Sequence, residues 1–291
     1  MSKDSRDLPI GIFDSGLGGL TVVSDIMRAL PGESIVYLGD TARCPYGPRD
    51  QAEVRGFVMQ IARWLAGQGV KMVVVACNTG TAAGLDAATE SVDVPVVGVI
   101  EPGAKAAVEA TKTGRVGVIA TTGTVESGEY SRSIRAIAPD VTVFSRATPK
   151  FVDIVEAGLR IGPGALEDWI AHSSEVFVRP AFYEMARDYL VPLKRADIDT
   201  LVLGCTHFPL LSSAIQQVMG PRVRLISSAT ETAREVARIL EDAGLLADGP
   251  PSHRFYTTGD AGEFAVLGSR VLRREIERVE HVPLTQLEAG L

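Results

Sequence analysis

Short apolar runs recur along the chain, and helix-length segments separate them. The runs are rich in Val, Ile and Leu, and most of them stop at small polar residues or glycine. Short runs of this kind are typical of strands buried on both faces of a parallel sheet. We predict strands at 9–13, 34–38, 73–76, 94–100, 115–120, 141–144, 201–204, 222–226 and 255–258.

The segments between the runs are long enough for helices, which predicts right-handed crossovers and an α/β fold. The strand-turn-helix pattern restarts after residue 100, so we predict two similar units facing each other. The predicted domains are 1–100, 101–222, and 223–291 as a return to the first. Predicted helices lie at 20–30, 49–67, from 82, 151–158, 163–194 with interruptions, 231–246 and from 263.

Two cysteines end two of the predicted strands in matching contexts. The segment from Val73 to Thr81 reads Val-Val-Val-Ala-Cys-Asn-Thr-Gly-Thr, and the segment from Leu201 to Pro209 reads Leu-Val-Leu-Gly-Cys-Thr-His-Phe-Pro. Ligands bind outside the carboxyl ends of strands in open α/β sheets. A following helix would lower the pKa of a thiol there from about 8.5.

The ordinary interpretation of a free cysteine is a small buried hydrophobic residue. We would accept it for one cysteine but not for two in repeated contexts, so we predict functional thiols at Cys77 and Cys205. Two facing domains would place one thiol on each wall of a cleft. Cys44 follows no such run, and we interpret it as incidental.

Other strand ends carry polar side chains beside flexible backbone. Asp14 and Ser15 precede Gly-Leu-Gly-Gly, whose glycines allow a ligand to approach the backbone closely. A helix N-cap is the structural alternative for either residue. The loop 39–48 follows a strand and carries Tyr46. Glu156 lies near the end of a predicted short helix, where a solvated surface acid is the ordinary interpretation.

Composition narrows the class of protein. The 291 residues, 46% of them hydrophobic, are enough for two domains with their own cores. A net charge of −7 without a basic stripe argues against nucleic acid as the main partner. No apolar run approaches the ~20 residues of a membrane span, and the N-terminus has no secretory pattern. Three cysteines fit reduced thiols, so we expect a cytoplasmic protein.

Two thiols on opposite walls suit inversion of a carbon centre, in which one face loses a proton and the other gains one. Asp14 could assist Cys77, and His207, two residues from Cys205, could assist the other wall. Because no lysine lies in a strand-end motif, pyridoxal phosphate is not expected. We predict a reaction without cofactor or metal.

Taken together, the motifs resemble those of the cofactor-independent aspartate/glutamate racemase superfamily, and within it the glutamate racemases. The resemblance runs from about residue 10 to 239 and implies two flavodoxin-like domains around a central cleft. It further implies interconversion of L- and D-glutamate, supply of D-glutamate for peptidoglycan, and a homodimer. The motifs are Asp14-Ser15-Gly-Leu-Gly-Gly, Tyr37-Leu-Gly-Asp-Thr-Ala-Arg, Pro45-Tyr46-Gly47, Ala76-Cys77-Asn78-Thr79 and Gly204-Cys205-Thr206-His207-Phe-Pro.

Residue by residue, the resemblance implies catalytic and binding roles. Cys77 and Cys205 match the paired acid/base thiols, with Gly80 standing where Ala or Ser is usual. The supporting acid/base groups match Asp14, Glu156 and His207. The substrate-binding set matches Asp14, Ser15, Tyr46, Gly47, Asn78, Thr79, Thr206 and His207.

Alternatives to a glutamate substrate stay open at this point. A sister racemase acting on aspartate or another small acid would use the same two thiols. A non-catalytic protein that binds a small anion between two α/β domains would not need them. A hydrolase using Cys205 and His207 would leave Cys77 without a role.

Overall fold

The structure, a computed structural model, describes residues 5–161 and 180–289. The strands are β1 Ile10–Asp14, β2 Ile35–Gly39, β3 Met72–Val75, β4 Val96–Gly98, β5 Arg115–Ala120, β6 Thr142–Ala147, β7 Thr200–Gly204, β8 Arg224–Ser227, β9 His253–Thr257 and β10 Val279–His281. The α-helices are α1 Leu20–Ala29, α2 Gln51–Gly67, α3 Asn78–Ser91, α4 Ile100–Ala110, α5 Thr122–Ser127, α6 Glu129–Ile137, α7 Lys150–Ile161, α8 Pro180–Arg195, α9 Ser212–Met219, α10 Ser228–Asp242, α11 Ala261–Leu272 and α12 Leu284–Glu288. Short 3-10 helices span Ser5–Asp7 and Phe208–Leu211.

The described strands form two parallel sheets. One sheet has the order β10-β9-β2-β1-β3-β4 and the other the order β6-β5-β7-β8. Every strand pair in both sheets is parallel. The prediction of an α/β fold with two parallel sheets is therefore confirmed. It succeeds because the aliphatic residues of β1, β2, β3 and β7 are buried on both faces.

Several predicted boundaries are wrong, and the reasons are local. Helix α3 begins at Asn78 instead of about 82, because the Cys77 side chain caps it by accepting from the Gly80 N–H. The strand predicted over 94–100 covers only β4, and α4 follows directly. Pro102 fits the first turn of α4, where its missing N–H costs no hydrogen bond. Strand β10 and helices α4, α5, α6, α9 and α12 were not predicted.

The C-terminal third of the chain contributes strands to both sheets. Strand β8 pairs with β7 in the four-stranded sheet, whereas β9 and β10 belong to the six-stranded sheet. Helix α10 packs against α1 and α4. The return of the chain to the first sheet thus comes at β9, and the domain boundaries at 100 and 222 stay predictions. Of the interrupted helix predicted over 163–194, the part at 163–179 lies outside the described residues.

The amino-terminal edge of the six-stranded sheet contains a buried ion pair. Lys71 precedes β3, and its Nζ lies 2.6 Å from Glu33 Oε2, with both side chains 2% exposed. Lys71 also donates to the carbonyl oxygens of Arg6 and Leu245. This edge is opposite to the one that carries Cys77. Lys71 therefore belongs to a buried structural ion pair and not to the Cys77 edge. In the described ranges, no helix combines the length and hydrophobicity needed to cross a membrane.

Candidate active site

A cavity of about 260 Å³ lies where the carboxyl ends of the two sheets meet. Both Cys77 and Cys205 line it, and each is 6% exposed. Loops after strands of both sheets complete the lining. Its residues are Ser15, Cys44, Pro45, Tyr46, Gly47, Pro48, Cys77, Asn78, Thr79, Thr121, Thr122, Pro149, Val152, Asp153, Cys205, Thr206 and His207.

The Cys77 wall combines the end of β1 with the start of α3. Cys77 Sγ accepts from the Gly80 N–H at 3.3 Å and lies 3.9 Å from Ser15 Oγ, to which its S–H donates. Burial raises the pKa of the thiol well above its usual value, and the nearby Asp14 carboxylate raises it further. The expected lowering by the helix N-terminus is present at Gly80 but is outweighed. In the free cavity Cys77 is therefore a protonated thiol at neutral pH.

Asp14 is buried at the end of β1, behind Cys77. Its Oδ2 accepts from the N–H groups of Gly16 and Gly19 at 3.1 and 3.0 Å. Burial raises the pKa of the carboxyl, and the charge of His207 and the two N–H groups only partly offset that effect. Asp14 Oδ1 is buried and has no hydrogen-bond partner among the described residues. The residue does not line the cavity, so it can act through Cys77.

The Cys205 wall has a different ionisable partner. Cys205 Sγ lies 3.7 Å from His207 Nδ1, and His207 Nε2 lies 2.9 Å from Glu156 Oε1. Burial acts to lower the pKa of His207, but the hydrogen bonds to Cys205 and Glu156 outweigh it and raise the pKa well above the usual value. His207 is therefore an imidazolium at neutral pH.

Glu156 acts on this wall from behind. Its side chain is 23% exposed and does not line the cavity. Burial acts to raise the pKa of Glu156, but the hydrogen bond and charge of His207, with Arg160, hold it below the usual value. The sequence alone favoured a surface acid here. The structure instead brings Glu156 to His207 across the 51 residues that separate them.

Gly18 allows the two halves to meet at this wall. A Cβ on Gly18 would lie 2.4 Å from Thr206 Oγ1 and 2.6 Å from His207 Nδ1. Real side chains do not approach so closely, so the Gly-Leu-Gly-Gly loop of β1 fits only with glycine at this position. Thr21 Oγ1 adds a hydrogen bond to the Thr206 carbonyl oxygen at 3.0 Å.

A buried network fixes the loop that carries Tyr46. The Tyr46 hydroxyl donates to Asp40 Oδ2, and Arg43 Nε donates to the same oxygen at 2.7 Å. Thr258 Oγ1 donates to Asp40 Oδ1 at 2.8 Å. Burial raises the pKa of the Tyr46 hydroxyl well above its usual value. Tyr46 is thus a neutral, fixed part of the lining.

Hydroxyl groups from both halves meet across the cavity. Thr79 Oγ1 lies 2.9 Å from Thr121 Oγ1 and 3.2 Å from Thr124 Oγ1. The Gly123 N–H donates to the Gly47 carbonyl oxygen at 3.0 Å. These contacts hold Thr121 and the start of α5 against the loop after β2 and the start of α3.

Most of the predicted site residues meet at this cavity. All except Asp14 and Glu156 line it; Asp14 lies behind Cys77, and Glu156 lies behind His207. Thr121, Thr122 and Asp153 also line the cavity but were not among the predicted site residues, although Thr121 and Thr122 directly follow the predicted strand at 115–120. Cys44, interpreted as incidental, also lines the cavity. Burial raises its pKa to about 12, so it stays a neutral thiol.

Metal chemistry has no evident site in the described part of the chain. Within residues 5–161 and 180–289, no group of three or more His, Cys, Asp or Glu side chains is arranged to hold a metal ion. The ionisable groups near the cavity instead form two pairs, Asp14 with Cys77 and His207 with Glu156, and the charge of His207 also acts on Asp14. This arrangement can hold and exchange protons on two sides of a bound molecule.

Comparison with known proteins places these residues in a family context. Residues 10–236 match the family model described as Asp/Glu/Hydantoin racemase. A curated glutamate racemase of Bacillus cereus is 46% identical over 277 residues, which is 94% of this chain and 97% of the relative.

Two solved structures are similar over nearly the whole chain. Glutamate racemase isoform RacE1 from Bacillus anthracis superposes with a TM-score of 0.86 at 44% identity, covering 96% of this chain and 98% of that one. A glutamate racemase from Francisella tularensis in complex with D-glutamate superposes with a TM-score of 0.83 at 34% identity, covering 96% and 98%.

Proposed function

The chain belongs to the Asp/Glu/hydantoin racemase family, and from that premise we propose that it interconverts L- and D-glutamate through Cys77 and Cys205. The observation that carries the proposal is that both thiols line one cavity of about 260 Å³. A cavity of this size suits a small molecule. The likeness to glutamate racemases, one of them with D-glutamate bound, supports glutamate as that molecule.

The reaction is a proton exchange at Cα that inverts its configuration. A thiolate on one wall removes the Cα proton, and the thiol on the opposite wall delivers its own proton to the other face. One cysteine ends as thiol and the other as thiolate, so the reverse reaction needs only exchanged roles. General acid and base groups of this kind contribute roughly 10²–10⁴-fold each.

On the Cys77 wall, Asp14 is the group that accepts the proton of the thiol. In the free cavity, burial and the Asp14 carboxylate keep Cys77 protonated. The positive ammonium group of a bound amino acid would favour the thiolate, because an opposite charge nearby stabilises the charged form. Asp14, whose own pKa is raised by burial, is then suited to take the thiol proton.

On the Cys205 wall, His207 supplies the charge. Its imidazolium, held by Glu156, faces the Cys205 sulfur at 3.7 Å. It can donate to a thiolate when Cys205 is the base and remain a stable cation when Cys205 is the acid. Glu156 positions the imidazole and stays outside the cavity.

The residues at the cavity also support a cofactor-free reaction. None of the described lining residues is a lysine, which pyridoxal phosphate would need for its Schiff base. The Lys71 ammonium is bound to Glu33 and two carbonyl oxygens at the other edge of the sheet. A reaction carried by the side chains of the cavity fits this lining.

The cellular setting follows from the product and the thiols. D-glutamate made here would supply peptidoglycan synthesis, the role that the resemblance implies. The three free cysteines agree with work in the reducing cytoplasm. A homodimer is proposed from the family likeness alone, and sedimentation of the purified chain at micromolar concentration would test it. A purely monomeric boundary would reject the dimer.

The test of the function is to incubate the reduced protein with L-glutamate in heavy water without added cofactor. Optical rotation should decay to zero while deuterium enters Cα of the D product. Decay with aspartate but not glutamate would move the proposal to the sister racemase. Binding of either acid without any decay would make the protein a non-catalytic binder.

A further inference from the structure

One buried tyrosine touches both strand ends that carry the thiols. Tyr130 lies in α6 and is 2% exposed. Its hydroxyl donates to Oδ1 of Asn78 at 2.7 Å, and Asn78 directly follows Cys77 in the chain. A Cβ on Gly204 would lie 2.9 Å from Tyr130 Cε2, so the ring packs closely beside the residue that precedes Cys205.

The Asn78 side chain is fixed by this bond and left with a free donor. Asn78 is 3% exposed and lines the cavity, and its Nδ2 is buried without a hydrogen-bond partner among the described residues. A buried donor without a hydrogen bond is destabilising unless a ligand supplies an acceptor. The amide NH₂ group is therefore available to an acceptor that enters the cavity.

The surroundings of the Tyr130 hydroxyl favour this orientation of the amide. The hydroxyl donates to Asn78, and the neighbouring Ser228 donates its own Oγ–H to the Leu203 carbonyl oxygen at 3.2 Å. Burial raises the pKa of Tyr130 above its usual value, so the hydroxyl keeps its proton as a donor. A donor held at this point selects the amide orientation that turns Oδ1 towards α6 and Nδ2 away from it.

We propose that Tyr130 is a positioning residue, which holds Asn78 with its NH₂ group towards the cavity to bind a carboxylate oxygen of the substrate. The identity of that substrate rests on the function proposed above. If the amide turned over, Oδ1 would face the carboxylate, and two acceptors without a proton between them repel. Tyr130 thus prevents the orientation that would weaken binding, from the opposite half of the molecule.

The test is a double-mutant cycle on kcat/KM for glutamate. Tyr130→Phe should lower kcat/KM about tenfold in the wild-type background, the size expected for one hydrogen bond in a buried site. In an Asn78→Ala background the same change should cost less than twofold, because Tyr130 then has no amide to orient. Tyr256→Phe, which removes a hydroxyl outside the cavity, is the matched control and should leave kcat/KM unchanged.

The outcomes separate this inference from the function. Equal losses in both backgrounds, or no loss in the wild-type background, would overturn the role of Tyr130 while racemisation by the wild type stands. Absence of racemisation by the wild type would reject both.

A second variant tests the orientation of Asn78 if thermal unfolding shows that Tyr130→Phe does not fold. Asn78→Asp keeps an acceptor for Tyr130 but replaces the free donor by a carboxylate oxygen. Its kcat/KM should fall below that of Asn78→Ala, because the new charge repels the substrate carboxylate. A value equal to or above that of Asn78→Ala would overturn the proposal.

Discussion

The two walls of the cavity present the same atom, a cysteine sulfur, in different electrostatic surroundings. Cys77 stands at a helix N-terminus with the buried acid Asp14 behind it, and burial raises the pKa of both groups. Cys205 stands beside the imidazolium of His207, whose pKa is raised by its bonds to Cys205 and Glu156. One wall thus holds a protonated thiol beside a buried carboxylate, and the other carries an ion pair between His207 and Glu156.

The difference shows that a helix N-terminus does not by itself make a reactive thiolate. At Cys77 the Gly80 N–H does lower the pKa, but the cost of burying a charge beside Asp14 is larger. The wall that holds His207 has a cation at hand before any substrate binds. We infer that Cys77 needs the positive charge of the substrate to become a thiolate. The Cys205 wall already contains a cation, the imidazolium of His207.

Removal of either thiol should have the largest effect. Cys77→Ala and Cys205→Ala should each lower kcat by more than about 10³-fold, because each removes one of the two proton-transfer groups. Cys44→Ala should lose far less, at most about tenfold, since burial keeps the Cys44 thiol neutral. Polarimetry with both enantiomers measures the rates. A near-wild-type rate for either of the first two variants would refute the two-thiol mechanism.

Loss of the acid behind Cys77 should come next. Asp14→Asn keeps an oxygen for the N–H groups of Gly16 and Gly19 but cannot take a proton, so kcat should fall about 10²-fold with the fold intact. Far-ultraviolet circular dichroism and the melting temperature check the fold. If kcat stayed within threefold of wild type, the Cys77 wall would ionise without Asp14, and the contrast between the walls would be weaker than proposed.

A steric change at each wall should separate the two further. Gly18→Ala should lower kcat/KM roughly 30-fold, because its Cβ would displace Thr206 and His207. Gly80→Ala is the matched control, since its Cβ would lie 3.3 Å from Cys77 Cβ, a tight contact that small shifts relieve. We expect it to change kcat/KM less than threefold. Similar losses in both variants would contradict the tighter packing of the Cys205 wall.

The smallest effect should come from Glu156, which acts only through His207. Glu156→Gln should lower kcat about tenfold and shift the pKa of His207 down, because burial then has less to oppose it. NMR titration of the imidazole measures that shift. An unchanged His207 pKa would show that the contact with Cys205 keeps the imidazole protonated without help from Glu156.

The same variant should reveal the pair in the pH dependence of stability. The His207 contribution is full below the unfolded pKa near 6.5 and is lost as pH rises through the raised folded pKa. The Glu156 contribution is present above about pH 4.3 and is lost as pH falls through the lowered folded pKa. The difference in melting temperature between wild type and Glu156→Gln should therefore be largest between about pH 4.3 and 6.5.

Local sequence was enough for the architecture and for most of the cavity. Apolar runs predicted the parallel strands because strands buried on both faces need continuous aliphatic residues. Ser15 and Asn78 follow strands of one parallel sheet, which places them at the same edge, whereas Thr206 follows a strand of the second sheet and meets them because the two sheets face each other. The start of α3 was predicted four residues too late, because its cap is a cysteine side chain and cysteine is not a usual cap.

Only the tertiary structure decided which partners stand behind each thiol. Glu156 meets His207, and Tyr130 meets Asn78, across long stretches of chain that no local pattern relates. The raised pKa of Cys77 likewise depends on how completely the surrounding loops exclude water. The strands and the polar residues at their ends are encoded in neighbouring residues, whereas strand order, desolvation and long-range hydrogen bonds exist only once the chain has packed together.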